Sequence, residues 1–298
     1  MDILNFGSLN LDLVYAVDHF VQAGETLSSD SLTYFCGGKG LNQSLALARA
    51  GLMVSHAGCI GADGGRLTAL LQQAGVDTAF VQTVQQPTGH AIIQVDKTGQ
   101  NCILLFGGAN RCIDENWARQ VICDFDGGWL LLQNEINGLN IMMETAHQQG
   151  MHIAFNPSPV TPEIRNLPLE WIDCFLVNEI EGEALTGQSR PKAILDAFQT
   201  IYPATAVVLT CGSGGAYFAD AQTRVYQPVF ETRVVDTTGA GDTFTGYFLA
   251  GYSRGVSPAV CMRTAAMAAS IAVSRPGAGD SIPQRAQVEQ ALEAIYNK

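Results

Sequence analysis

The residues with the most evident chemistry lie in Val234-Val235-Asp236-Thr237-Thr238-Gly239-Ala240-Gly241-Asp242-Thr243-Phe244, which reads as a strand, a glycine turn and an apolar helix over about 242–252. Free amides and the helix dipole converge at such a start and stabilise an anion, and the small residues let a phosphate approach the backbone. A carboxylate in the same turn, Asp242, can then take a proton from a hydroxyl attacking a phosphoryl group. The run also reads as an ordinary helix start with Asp242 as its cap.

A second run, Cys36-Gly37-Gly38-Lys39-Gly40-Leu41-Asn42-Gln43, precedes an alanine-rich helix. It is not a Walker loop, because Gly40 follows Lys39 where Ser or Thr is required and the four-residue spacer to an earlier glycine is absent. Glycines and an asparagine suit backbone and amide hydrogen bonds to a polyhydroxylated ligand instead. In Gly7-Ser8-Leu9-Asn10-Leu11-Asp12, Asn10 and Asp12 alternate onto one side and can bind adjacent hydroxyls. Either run can equally be a plain turn. Asn178-Glu179-Ile180-Glu181 opens a helix after a buried strand; Asn178 is first of all a cap, while the carboxylate can hold magnesium directly or through water. Thr210-Cys211-Gly212-Ser213-Gly214-Gly215 is a strand with a flexible polar turn, suited to nucleotide contacts or to a hairpin.

Elements of regular period must position these residues. Ile3 to Gly7 reads as the first core strand, and Asn42 to Ala50 and Gly64 to Ala74 as helices ended by Ala-Gly. Gly89 to Val95 and Cys102 to Phe106 flank a Lys97-Thr98-Gly99-Gln100 turn as a hairpin, and about 12–35 alternates weakly. From about 110 onward apolar runs at 129–132, 152–155, 174–177 and 206–210 alternate with helix-sized segments. That pattern predicts an α/β doubly wound, mostly parallel sheet with helices on both faces, binding ligands at the carboxyl ends of its strands. No linker, charge block or repeat divides the chain. The reading is one catalytic domain over 1–298 with a small lid sheet from about 12–35 and 88–107.

Bulk properties exclude several classes. The 298 residues are 47% hydrophobic, enough for a large core. Sixteen Lys plus Arg against 28 Asp plus Glu give a net charge of −12, which repels nucleic acid and anionic membrane surfaces. No run reaches about 18 apolar residues, and the first ten lack signal-peptide character, so a cytoplasmic protein is expected. Eight cysteines without a C-x-x-C pair read as small buried hydrophobes, and the five histidines show no ligand spacing.

Taken in order, G-S-L-N-L-D at 7–12, G-G-K-G-L-N-Q at 37–43, N-P-S-P at 156–159, N-E-I-E at 178–181 and D-T-T-G-A-G-D-T-F-T-G at 236–246 resemble the PfkB-type carbohydrate kinase family, in its ribokinase branch, along the whole chain. The resemblance implies ATP-dependent phosphorylation of a small sugar's primary hydroxyl, with D-ribose as acceptor. It makes Asp242 the base and the amides of Gly239, Ala240 and Gly241 the anion hole. Asn10, Asp12, Gly38, Lys39 and Asn42 fall where the sugar is held, joined by Glu135 in L-L-Q-N-E, where Gln133-Asn134 departs from the pattern. Asn178, Thr210, Gly212 and Gly215 match nucleotide contacts, and Glu181 a magnesium site reached through water. A potassium site is implied at Asp236, Thr238, Ala272, Arg275, Gly277 and Ser281, as is a homodimer through the lid sheet. Ala266 stands where a polar ring is expected against adenine. Another sugar or a ribonucleoside as acceptor, or a non-catalytic sugar-binding protein, are the competing readings; a phosphorylated sugar is disfavoured, since no basic cluster joins the sugar-site segments.

Overall fold

The computed structural model describes residues 3–296. The chain runs β1 (Ile3–Phe6), β2 (Asn10–Ala16), β3 (Ser31–Gly37), α1 (Lys39–Arg49), β4 (Val54–Ile60), α2 (Gly65–Gln73), β5 (Asp77–Thr83), β6 (Gly89–Val95), β7 (Asn101–Phe106) and α3 (Glu115–Asp124). It continues with β8 (Trp129–Gln133), α4 (Leu139–Gln148), β9 (His152–Asn156), β10 (Cys174–Asn178), α5 (Glu179–Thr186), α6 (Pro191–Ile201), β11 (Ala206–Thr210), β12 (Ala216–Ala219), β13 (Arg224–Gln227), α7 (Ala240–Tyr252), α8 (Pro258–Ala272) and α9 (Arg285–Tyr296).

Nine strands form the main sheet in the order β13-β12-β11-β10-β9-β8-β1-β4-β5, parallel from β11 to β5 with an antiparallel β12–β13 edge. Side chains alternate between two cores: Ile3, Leu131, Leu176 and Val208 pack under α1, α7 and α8, while Leu4, Leu130, Phe175 and Val207 pack under α3, α4 and α6. Burial on both faces explains why these strands read as continuous apolar runs, and each fully buried Leu or Phe contributes about 1.5–3 kcal/mol. The chain travels outward from β1 to β4 and β5, then returns to β8 and travels the other way. The switch point therefore lies between β1 and β8, where an open α/β sheet leaves a crevice beyond its carboxyl edge.

A separate sheet, β3-β2-β6-β7, stands at the same edge. The hairpin expected from Gly89 to Phe106 forms as β6–β7, and β2 pairs in parallel with β6 from Asn10↔Gly89 onward. Leu32, Tyr34, Ile103, Leu104, Leu105 and Phe106 of this sheet are exposed.

Local differences have local causes. Helix α1 starts at Lys39 rather than Asn42, because Gly38 turns the chain at φ 95° and Leu41 N donates to Ser8 O (2.9 Å). Asn42 thus ends its first turn and Gln43 begins its second. The strand expected at Val234–Val235 does not form: both valines are exposed, and the amides of Val235 and Asp236 donate to Val273 O beyond the end of α8. The expectation that all cysteines are buried is corrected too, since Cys102 and Cys123 are exposed and Cys36 and Cys112 only partly covered.

Candidate active site

The polar ends of adjacent strands line the crevice, with Gln133 paired in register with Asn156 and Asn178 with Thr210. Opposite them Gly239, left-handed at φ 73°, opens α7 and places Asp242 in its first turn, 7% exposed. Asp242 Oδ2 accepts from Asn42 Nδ2 (3.1 Å) and Oδ1 from Gln43 Nε2 (2.9 Å), with Lys39 Nζ 3.9 Å from Oδ1. Two amide donors and an ammonium keep the carboxylate oriented, and each oxygen retains a lone-pair site for a further donor. Burial works to lower the Lys39 ammonium, but Asp242, Glu135 and Glu181 outweigh it and hold the group above its ordinary range. The amide of Ala240 closes the turn on Thr237 O (3.2 Å), and the first amides of α7 have no carbonyl behind them in the helix.

Three cavities line this side of the molecule, the second and third of them sharing a wall. One of about 420 Å³ is lined by Asn10, Gln86, Phe106, Asn110, Arg111 and Glu135. Its polar groups are pre-set: Asn110 Nδ2 donates to Asn10 Oδ1 (2.7 Å), and Glu135 accepts from Lys39 N (3.0 Å) and from the Ser8 hydroxyl. Burial, and then the facing Glu135 carboxylate, push Asp12 up to about 7.

The second cavity, about 250 Å³, holds Lys39, Asn156, Asn178, Glu181, Thr237, Gly239, Gly241 and Asp242 in its wall. The cap expected at Asn178 is present as a full capping box, in which Asn178 Oδ1 accepts from Glu181 N (2.9 Å) and Glu181 Oε2 from Asn178 N (2.9 Å). A carboxylate only 4% exposed, beside an ammonium and open to a phosphate-sized space, fits magnesium held through water and substrate oxygens. Among the described residues no three His, Cys, Asp or Glu side chains cluster as a closed metal cage.

Thr210, Thr237, Gly241 and Phe244 also line the third cavity, about 540 Å³, whose remaining wall includes Gly212, Gly215, Phe230, Ala266, Ala269 and Val273. A polar chamber opening into a larger apolar one matches a triphosphate joined to a base. Ala266 does lie in that wall, where it offers a methyl rather than a polar ring.

On the outer side of the turn, Asp236 accepts from Thr238 N (2.9 Å), Thr238 Oγ1 (2.6 Å) and Gly277 N (2.9 Å). Burial pushes its carboxyl up, but these bonds outweigh it and hold the group below its ordinary range. Asp236, Thr238 and Gly277 are thus together. Ala272 O accepts from Arg275 N (3.1 Å), and Ser281 Oγ donates to Ala278 O (2.8 Å).

Sequence reasoning passed over Gln43, Asn110, Arg111, Gln133 and Asn156 as site residues. Gln43 ended a quoted motif and Asn110 follows a Gly-Gly pair, yet their partners lie 199 and 100 residues away. Arg111 puts one guanidinium at the mouth of the first cavity, donating to Ile136 O (3.0 Å).

Comparison with known proteins gives this arrangement its class: the chain belongs to the pfkB family of carbohydrate kinases, whose pattern matches residues 2–285, and it is an ATP-dependent sugar kinase. Within that class it is similar to ribokinases. The ribokinase of Haemophilus influenzae is 35% identical over 96% of this chain and 97% of that protein. Arabidopsis thaliana ribokinase, solved with ribose and ATP, superposes with a TM-score of 0.87 at 31% identity over 98% of each chain. The Thermotoga maritima ribokinase structure gives 0.85 at 33% identity, covering 98% of this chain and 99% of that one.

Proposed function

We propose that the protein transfers the γ-phosphoryl group of ATP to the primary hydroxyl of D-ribose, giving ribose 5-phosphate. The observation that carries the reading is the buried Asp242 carboxylate, held by Asn42 and Gln43 and facing Lys39, whose own amide meets Glu135 of the neighbouring polar cavity. Asn10, Asp12, Gly38, Lys39, Asn42 and Glu135 hold the sugar's hydroxyls, leaving the primary hydroxyl towards Asp242. That carboxylate accepts its proton as the oxygen attacks, and the amides of Gly239, Ala240 and Gly241 stabilise charge on the phosphoryl oxygens. Asn178, Thr210, Gly212 and Gly215 contact the nucleotide. Magnesium, near Glu181, supplies charge neutralisation on the phosphates when bound. Potassium, at Asp236, Thr238, Ala272, Arg275, Gly277 and Ser281, orders the turn from outside the reaction.

The small sheet acts as the lid that keeps water from the phosphoryl group, and its exposed Leu32, Tyr34, Ile103, Leu104 and Phe106 pair it with a second copy as a homodimer. The enzyme works in the cytoplasm, where ATP is its donor. No helix among the described residues is long and apolar enough to cross a membrane.

The test is ADP production with ATP, magnesium and potassium across ribose, deoxyribose, fructose, ribonucleosides and sugar phosphates. Preference for ribose is the expected result. Preference for another acceptor overturns the substrate, and sugar binding without turnover overturns the activity. Asp242→Asn should lose on the order of a hundred- to ten-thousand-fold in kcat while still binding ribose; a fully active variant would refute the base assignment.

A further inference from the structure

Gln43 is completely buried and sits at the centre of an amide network on the inner side of Asp242. Its Nε2 donates to Asp242 Oδ1 (2.9 Å) and to Asn156 Oδ1 (3.2 Å), and its Oε1 accepts from Gln133 Nε2 (2.8 Å). Gln133 Nε2 also donates to Asn5 Oδ1 (2.9 Å), and Asn5 Nδ2 donates to Gly40 O and Ser44 Oγ (both 2.8 Å). On the other branch Asn156 Nδ2 donates to Leu176 O (2.8 Å) and lies 3.5 Å from Glu181 Oε2. Asn5, Gln43 and Gln133 are all 0% exposed, so bulk water does not reach the amides of these three.

The direction of the network follows from its end. An ionised carboxylate only accepts, so the amide nitrogen of Gln43 must face Asp242 and its oxygen must face Gln133. Gln133 then turns its nitrogen inward, and its Oε1 is left buried without a partner. Leaving that acceptor unmet is a cost, tolerated where both protons of the Gln133 amide are committed to Gln43 and Asn5. Both protons of the Gln43 amide are likewise committed, one to Asp242 and one to Asn156. A buried polar network with its donors saturated is rigid and admits one arrangement.

We propose that Gln43 is a positioning residue for phosphoryl transfer: it fixes the Asp242 carboxylate and, through Asn156, sets it in one frame with the Glu181 wall of the phosphate cavity. The inference rests on the reading of Asp242 as the base. Gln43 touches no reacting atom and acts only through Asp242 and Asn156. Asp242 is faced by Lys39 from α1, with Glu181 of α5 in the same cavity wall and Glu135 beside Lys39 across the site. Lys39, Glu135 and Glu181 keep their charges in both Gln43 variants, and the one charge added, by Gln43→Glu, sits at the Gln43 contact itself, so a moved pH profile reports how closely that position is coupled to Asp242.

The test is the kcat pH profile of Gln43→Met and of the isosteric Gln43→Glu beside the parent and Asp242→Asn. Gln43→Met removes both donations and should lower kcat about 10- to 100-fold, with KM for ribose within about threefold, because the base is misplaced while the sugar contacts stay. Gln43→Glu sets a second carboxyl against Asp242 and should move the acid limb of kcat upward by about one pH unit. A purely structural role would reduce Tm and the yield of folded enzyme and leave that limb in place. Both variants with kcat within twofold of the parent and an unmoved limb, alongside an inactive Asp242→Asn, overturn the role of Gln43 alone. An active Asp242→Asn overturns the base reading and this inference with it.

Discussion

Lowering the pH from 8 to 6 should weaken ribose binding about tenfold, through Asp12. Burial and the facing Glu135 push this carboxyl up to about 7, whereas a sugar hydroxyl needs the ionised form as its acceptor. With that midpoint, about nine-tenths of the carboxyls are ionised at pH 8 and about one-tenth at pH 6, and affinity scales with the ionised fraction. Calorimetric titration in two buffers of different ionisation enthalpy measures both the constant and the protons released. Release should approach one proton per sugar at pH 6 and fall close to none at pH 8. Asp12→Asn should bind weakly with a flat profile. The empty enzyme carries the complementary signature: its native state holds the proton more tightly than the unfolded chain, so stability falls as pH rises from about 4 towards 7 and levels off above. The displacement from 3.8 to about 7 caps this penalty at roughly 4 kcal/mol, and Asp12→Asn should therefore raise Tm most at pH 8, less at pH 5, and leave it unchanged only near pH 3, below both midpoints. An affinity constant within twofold from pH 6 to 8, with no proton release, would refute the reasoning.

Three further outcomes are expected. Gly246→Ala should cost about 1–3 kcal/mol, because the added methyl on α7 would run into the Ala46 side chain and come within 2.8 Å of Leu47 N on α1; calorimetry should show Tm lower by roughly 2–5 °C, and an unchanged Tm would count against that packing. Replacing potassium by sodium should slow turnover by loosening the turn that Asp236 ties to Gly277, and equal rates in the two salts would remove the cation from the scheme. Leu104→Glu, at a position 68% exposed on β7, should turn a dimer into a monomer in sedimentation velocity. A monomeric parent would instead leave that apolar face without a second copy.

What could be read in the residues was what neighbours in sequence decide. The turn at Gly239 to Asp242 is local, as is the capping box of Asn178 and Glu181, and both stand in the structure where the residue types put them. The alternating apolar runs announced the parallel sheet because strands buried on both faces carry no polar side. Val234 and Val235 misled for the same reason: β-branched residues favour a strand, but their amides are taken by Val273 O and no sheet edge reaches them. The amide network was illegible because Gln43, Gln133 and Asn156 come from three elements and only their meeting gives them work. A buried glutamine in an alanine-rich helix shows no pattern of its own.

The division of the crevice has a consequence over evolutionary time. The groups facing the first cavity come from the stretch ending at Glu135, on β2, the loop before β6, the end of β7 and the loops after β7 and β8, whereas Asp242, the capping box and the nucleoside-sized chamber come from residues 156–273 apart from Lys39. With the acceptor placed as proposed, a lineage can alter Gln86, Phe106, Arg111 or Cys112 of that first wall without touching the residues around Asp242. Drift at those few positions is where descendants of this chain would be expected to part company first.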